Sequence, residues 1–415
     1  MSGSKKMSSK KMKKGKKNTA VPYKVPLMKN AFIEEKSVRA KLSQFVLTAP
    51  RLSMDLQCAQ FEKTFAKKQG RKYAILFNSG GSANLAMIQA LKNLGALKDN
   101  DKVGFSAVTW STNVMPILQM GLGAVPIDCD PTTLNSMSHC ALPRLEQEKC
   151  KAFFITNVLG FSGDLDVIEK ECAKKGIIVL EDNCESLGTV LHTGKTGNFS
   201  LASSFSFFVA HHMSTIEGGM VCTDDHDFAE MLKIVRANGW DRNLHPKRQK
   251  HWRKKHEVES SFHAKYTFYD LGFNLRPTEI TGFIGLNQLP HLDKTIKIRE
   301  KNFKKIYAQI LKNDDFLKIS HDHLKTISAF AIPFICKTPE LRKKYIKIFN
   351  DAGVEIRPMI AGNMQKQPFS KKYTSKTFDL PGADVLHDNA FYCGNCPDYT
   401  PAEIEIILNC IIKGK

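Results

Sequence analysis

From Tyr73 onward the chain alternates two hydrophobic patterns: short apolar runs, and longer stretches in which apolar residues return every three or four positions. Tyr73 to Phe77 is the first run; it ends in Asn78-Ser79-Gly80-Gly81-Ser82, and Ala83 to Leu94 continues with the period of a buried helix. Strand-like runs recur at Lys102 to Ala107, Val125 to Asp128, Ala152 to Val158 and Ile177 to Glu181, with helical patterns such as Leu165 to Lys175 between them. That alternation predicts parallel strands joined by crossover helices. Ser203 to Val209 and Gly219 to Thr223 are two further strand-like runs, ahead of a helix over Asp227 to Ala237. Before Ser53 the chain reads as an arm and a leading helix, with helical spacing from Val38 to Val46. From Leu292 the signal changes to a long basic helix ending near Leu311, a strand at Phe330 to Ile335, a helix over Leu341 to Ala352 and an extended run from Val354 to Met359. The pattern predicts an α/β chain with a large, mostly parallel sheet domain over residues 21–290 and a smaller α+β domain over 291–415. No internal repeat is evident.

Composition supports a globular chain. With 415 residues and 42% hydrophobic content there is enough apolar surface for a large core. No run of eighteen or more apolar residues and no secretory-type leader is found, so a soluble, cytoplasmic protein without a membrane partner is expected. The 11 cysteines are scattered singly except for Cys393 and Cys396, which suggests reduced thiols. That pair has metal-ligand spacing, but no second pair answers it; FYCGNCPDY reads as a turn into a final helix, and no metal site is assigned.

The net charge of +20 is unevenly spread. Eight lysines and no acid lie between Met1 and Lys17. Such a composition predicts a disordered tail over residues 1–20, because it buries too little to offset ordering, and gives little reason to expect nucleic acid as a partner. A second basic run, Arg242 to Lys255, holds seven Lys or Arg and no acid. It reads equally as a cationic loop facing a diphosphate or as a solvated surface loop.

Three stretches carry candidate chemistry. Gly80, Gly81 and Ser82 form a glycine-rich turn between strand and helix, which can offer backbone amides to an anion; glycine and serine also serve such turns for steric reasons alone. Asp182 closes a strand-like run in EDNCESLG, at the end of a strand where α/β sheets present ligand-binding groups. The third stretch is FSFFVAHHMSTIEGGM, Phe205 to Met220. It is similar to the FSFYPTKxLxxGEGGM element of the DegT/DnrJ/EryC1/StrS sugar aminotransferases, with His211 in register with the Schiff-base lysine and Glu217, Gly218 and Gly219 on its tail.

The resemblance spans roughly Asn30 to the C-terminus, and it implies an aspartate aminotransferase-like (fold type I) architecture that binds pyridoxal 5'-phosphate or pyridoxamine 5'-phosphate. It assigns Gly81 and Ser82 to the family's SGTSAN phosphate turn and Ser206 to a second phosphate-binding hydroxyl. Asp182, in a motif similar to EDAAQAHG, is placed against the pyridine nitrogen, and Glu185 on the family's glutamine position. Trp110, in VTWSTN, matches an aromatic that covers the cofactor face, though core packing is its rival reading. Asp270 to Glu279 resembles ELGYNYRMTE, in which Asn274 would reach the phosphate of a partner subunit, so a homodimer with shared sites is implied. Arg242, Glu355 and Arg357 match positions facing the sugar nucleotide.

A lysine tethers the cofactor covalently, whereas an imidazole can only move protons. The resemblance is therefore to the histidine-bearing dehydratase branch. It implies removal of the 3-hydroxyl from a nucleotide-linked 4-keto-6-deoxyhexose, GDP-4-keto-6-deoxymannose preferred, with L-glutamate as amino donor and His211 moving the proton. His212 could orient its neighbour or simply pack. An iron-sulfur relative would need four thiolates, and Cys222 to Cys336 encloses none. A conventional aminotransferase using another lysine, such as Lys195, and a catalytically inactive cofactor-binding regulator are the alternatives.

Overall fold

The computed structural model describes residues 23–414. The expected tail at residues 1–20 lies outside them. Among the described residues there are twelve strands: β1 (Tyr73–Phe77), β2 (Lys102–Ser106), β3 (Gly123–Ile127), β4 (Ala152–Thr156), β5 (Ile178–Asp182), β6 (Val190–Leu191), β7 (Ala202–Ser206), β8 (Gly219–Thr223), β9 (Leu324–Thr326), β10 (Ala331–Ile335), β11 (Ile356–Pro358) and β12 (Ala390–Gly394). Seven of them form one sheet in the order β1-β8-β7-β5-β4-β2-β3. From β7 to β3 every neighbouring pair is parallel, as the crossover pattern predicts. β8 departs from that expectation and runs antiparallel to both β7 and β1. Its connection from β7, residues 207–218, contains no crossover helix, and a chain that turns back without one can only pair antiparallel.

Alternation along the central strands sends side chains into two cores. Phe154 and Leu180 join Ile75, Phe105 and Val221 beneath the helices Gly80–Asn93 and His226–Arg236. Phe153, Ile155 and Val179 face the other way, into an apolar layer that continues to Phe303, Phe334 and Phe391. That layer joins the large sheet to a three-stranded antiparallel sheet, β10-β12-β11, and to the helices Leu292–Ile310, Pro339–Asp351 and Pro401–Lys413.

Two local expectations are corrected. Residues 390–394 form the central strand of the smaller sheet, with Cys393 paired to Ile332 and Ile356, where a turn was expected. Cys393 and Cys396 are both free and buried, and burial raises both thiol pKa values. The basic run is a helix, Pro246–Lys255, where a loop was expected. It buries no residue, so its hydrophobic pattern carried no helical signal; Pro246 at the first turn and the His245 cap on Lys247 were the available cues.

Candidate active site

Because β1, β2, β5 and β7 point the same way, their C-terminal ends meet along one edge of the sheet. A cavity of about 390 Å³ opens there, bounded by the β1 turn, the β5 turn, the loop between β7 and β8, and Phe330, Ile360 and Tyr392 from the C-terminal part of the chain. At its floor Ser79 caps the helix Gly80–Asn93, accepting from the Ser82 amide at 3.0 Å, so Gly80 and Gly81 present the helix N-terminus to the cavity. A Cβ at Gly80 would lie 2.7 Å from Cβ of Ser206, which leaves glycine as the fitting residue between the two turns.

Strand alternation separates the two carboxylates that end β5. Glu181 points away and is consumed by the 197–200 loop, accepting from Gly197, Phe199 and Ser200. Asp182 faces the cavity at 3% exposure. Its Oδ2 accepts from Asn84 Nδ2 at 2.8 Å and its Oδ1 from the Cys184 amide at 2.9 Å. Two fixed donors hold the carboxylate in one orientation, with lone pairs left for a further donor in the cavity.

His211 lines the same cavity from the loop between β7 and β8, half-buried, its ring 5.2 Å from that of Phe330 and 6.4 Å from that of Phe208. Burial, reinforced by the charge of Arg299, pushes its pKa from 6.5 down to about 4, against a backbone hydrogen bond at Cys184 that opposes the shift. Near the ordinary value of 6.5 an imidazole would be partly protonated at neutral pH; buried here, the ring is neutral near pH 7, ready to accept a proton. His212 is turned away, with Nε2 2.8 Å from the Ser328 carbonyl oxygen, and it does not line this cavity.

The sequence profile of the DegT/DnrJ/EryC1/StrS aminotransferase family matches residues 34–412. The chain belongs to this family. Among the relatives, a GDP-4-keto-6-deoxy-D-mannose 3-dehydratase of Escherichia coli O55:H7 is 36% identical, over 86% of this chain and 92% of that protein. The enzyme of the same name from Yersinia pseudotuberculosis is 33% identical, over 92% and 96%. A solved structure of the E. coli enzyme with bound hydrated PLP superposes with a TM-score of 0.83 at 32% identity, covering 94% of this chain and all of that one.

Of the residues that the family resemblance singles out, Gly81, Trp110, Asp182, Glu185, Ser206 and His211 line one cavity. Trp110 is 56% exposed at the rim, so core packing is not its role. Ser82 lies just below, its hydroxyl bonded to that of Ser79. Asn274 is exposed and outside the cavity lining, accepting from Arg276, although its segment abuts the β1 turn through Asn78 and Leu275. Arg242 is also outside, exposed, with its guanidinium 5.2 Å from the Trp240 ring. Arg357 pairs with Glu355, whose other oxygen accepts from the Leu27 amide; neither lines the cavity, but Arg357 lies opposite Tyr392, which does. No lysine is in the lining. Lys195, the alternative considered above, donates to the Lys68 carbonyl in a separate groove.

Sequence reasoning missed Ser79, Asn84, Thr112, Phe330 and Tyr392. Ser79 was legible as a helix cap; Phe330 and Tyr392 reach the site only through the packing of the smaller sheet on the larger.

Glu185 has a distinctive environment. Its Oε2 accepts from the Leu159 amide at 2.8 Å, yet burial, with the nearby Asp182 charge, raises its pKa to about 8. It is therefore a neutral acid near pH 7, and like a glutamine amide it presents a donor group and an acceptor oxygen without charge. Between the unfolded value near 4.5 and 8 the folded protein holds the extra proton, so stability falls as pH rises through that window. Glu185→Gln is expected to remove that slope in thermal melts between pH 5 and 9 and to cost no more than about tenfold in kcat/KM, ~1.4 kcal/mol. An unchanged slope would show that Glu185 is ionised in the fold.

Proposed function

We propose that the protein is a pyridoxal/pyridoxamine 5'-phosphate-dependent dehydratase that removes the 3-hydroxyl of a nucleotide-linked 4-keto-6-deoxyhexose, with the GDP-linked mannose derivative preferred and L-glutamate as amino donor. The observation that carries this reading is a family cavity complete with its anion-facing helix N-terminus and anchored Asp182, in which an imidazole stands where a lysine would and no lysine lines the wall.

The residues fit the cofactor. The Gly80 and Gly81 amides, with Ser206, would hold the phosphate, Trp110 would cover the ring, and the free lone pairs of Asp182 would take the pyridinium N–H. The bound cofactor supplies an amine for the 4-keto carbon and a ring that takes up the electrons released when a proton leaves. His211, neutral near pH 7, takes that proton and, once protonated, can return it to the departing 3-hydroxyl. With no lysine to recapture the cofactor, the deoxygenated amino product is free to leave and hydrolyse to a 3-deoxy-4-keto sugar and ammonia. Asn274, Arg242, Glu355 and Arg357 are read as contacts completed by the sugar nucleotide or by a second subunit. Exposed Leu271, Phe268 and Tyr266 beside the Asn274 segment support a homodimer. Among the described residues no helix is long and apolar enough to cross a membrane.

The test is incubation of the protein with pyridoxal 5'-phosphate, glutamate and GDP-4-keto-6-deoxymannose. Production of 2-oxoglutarate and sugar-dependent ammonia is expected. A stable 4-amino sugar without ammonia would indicate an aminotransferase, and neither product with GDP-, CDP-, UDP- or dTDP-linked sugars would indicate a regulator.

A further inference from the structure

Behind His211 lies a buried cation that the mechanism above does not use. Arg299, on the helix Leu292–Ile310, is 1% exposed, and its hydrogen-bond partners are backbone carbonyls. Nη1 donates to Phe330 at 2.8 Å and to Asn395 at 2.7 Å, and Nη2 reaches the carbonyl of His211 itself at 3.5 Å. Asn395 answers by donating through Nδ2 to the carbonyls of Arg299 and Ala329. One guanidinium thus ties together the His211 loop, the residue whose ring lies against the imidazole, and the segment that follows β12. A planar fork can span such separated acceptors; a lysine ammonium, a compact point charge, is poorly shaped to do so.

The same charge acts on the imidazole through a poorly screened interior. A cavity of about 20 Å³, room for about one water, is lined in part by His211, His212, Arg299 and Asp398. The other groups facing His211 are Asp182, Cys184 and Glu185 from the β5 turn, Glu217 from its own loop, and Tyr392 from β12. Burial keeps Cys184 and Tyr392 protonated, and Glu185 is neutral below about 8. Burial lowers the pKa of Arg299 only to about 10, so the guanidinium remains charged near pH 7.

We propose that Arg299 is the positioning residue of the His211 base: its guanidinium fixes the His211 backbone against Phe330 and Asn395, and its charge, acting with burial, disfavours a second positive charge on the imidazole. The role in turnover rests on the reading of His211 as the proton-moving group; the electrostatic role does not.

Cofactor-free protein carrying [13Cε1]histidine separates the two. The His211 signal is identified by its loss in His211→Asn and followed against pH. Arg299→Gln is expected to raise the His211 midpoint by about one pH unit. Arg299→Lys, which keeps the charge and loses the fork, should leave the midpoint in place while lowering kcat about 10- to 100-fold at similar KM. An unmoved midpoint in a folded Arg299→Gln protein overturns the proposal. Should that variant not fold by circular dichroism, Arg299→Lys decides: full kcat overturns the proposal, and a lowered kcat with an unchanged midpoint supports it. If no dehydratase activity is found in the parent protein, the function above fails, yet the titration of Arg299→Gln, or of Arg299→Met in its place, still reads the charge effect.

Discussion

Replacing His211 by asparagine is expected to lower sugar-dependent ammonia release by about 100- to 10,000-fold, the range supplied by a positioned general base. Asparagine is polar and small enough to sit against Phe330, but it has no basic nitrogen. His212 is poorly placed to substitute, since its ring is 3% exposed and held on the Ser328 carbonyl. The loss should fall on kcat, with the absorbance of the bound cofactor retained, because the residues proposed to grip phosphate and ring are elsewhere. Borohydride reduction should yield no pyridoxyl-lysine from parent or variant. Stability provides a second readout. The parent's His211 is held neutral down to about pH 4, so its contribution is present above the unfolded value near 6.5 and is lost as pH falls from there toward 4. His211→Asn should flatten the part of the melting-temperature profile that comes from this group. Full deoxygenation by the variant would sink the assignment.

The sequence made the strands that end at the cavity readable because each is a short apolar run closed by turn residues; β8 begins and ends where its hydrophobic run does, at Gly219 and Thr223. Periodicity could not show that β8 runs antiparallel to its neighbours, since direction is set by the connection and not by the strand. The same limit applies to the site. His211 and Asp182 are recognisable because a local frame of neighbouring residues surrounds each. Asn84 has no such frame: it is one polar position on a helix, and its task appears only when the helix Gly80–Asn93 crosses the end of β5. Arg299 sits in a helix that reads as basic and solvated, where a lone arginine gives no sign of being buried against three carbonyls from other parts of the chain. The lowered pKa of His211 follows from that assembly and could not be read from residues 205–220 alone.

Asp182→Asn should be nearly as damaging as loss of the base, for a different reason. Asparagine is close in size and can still accept from Asn84 Nδ2 or the Cys184 amide, so the β5 turn and the fold should survive with little change in melting temperature. What it lacks is negative charge. An amide set against a pyridine nitrogen would not favour the protonated ring, and without that proton the ring would be a poor acceptor for the electrons that the proposed proton removal by His211 would release. A loss of about 1,000-fold or more in kcat, ~4 kcal/mol, is expected, comparable to removal of a group that stabilises charge developing in a transition state. The bound cofactor should also shift its absorbance as the ring nitrogen deprotonates, a change that His211→Asn should not produce. Asn84→Ala supplies the graded control: the carboxylate stays but loses one of its two fixed donors, so activity should fall by less than in Asp182→Asn and the absorbance should move in the same direction. Equal activity in Asp182→Asn and the parent would mean that the ring nitrogen is not held at Asp182, and the proposed placement of the cofactor in this cavity would be wrong.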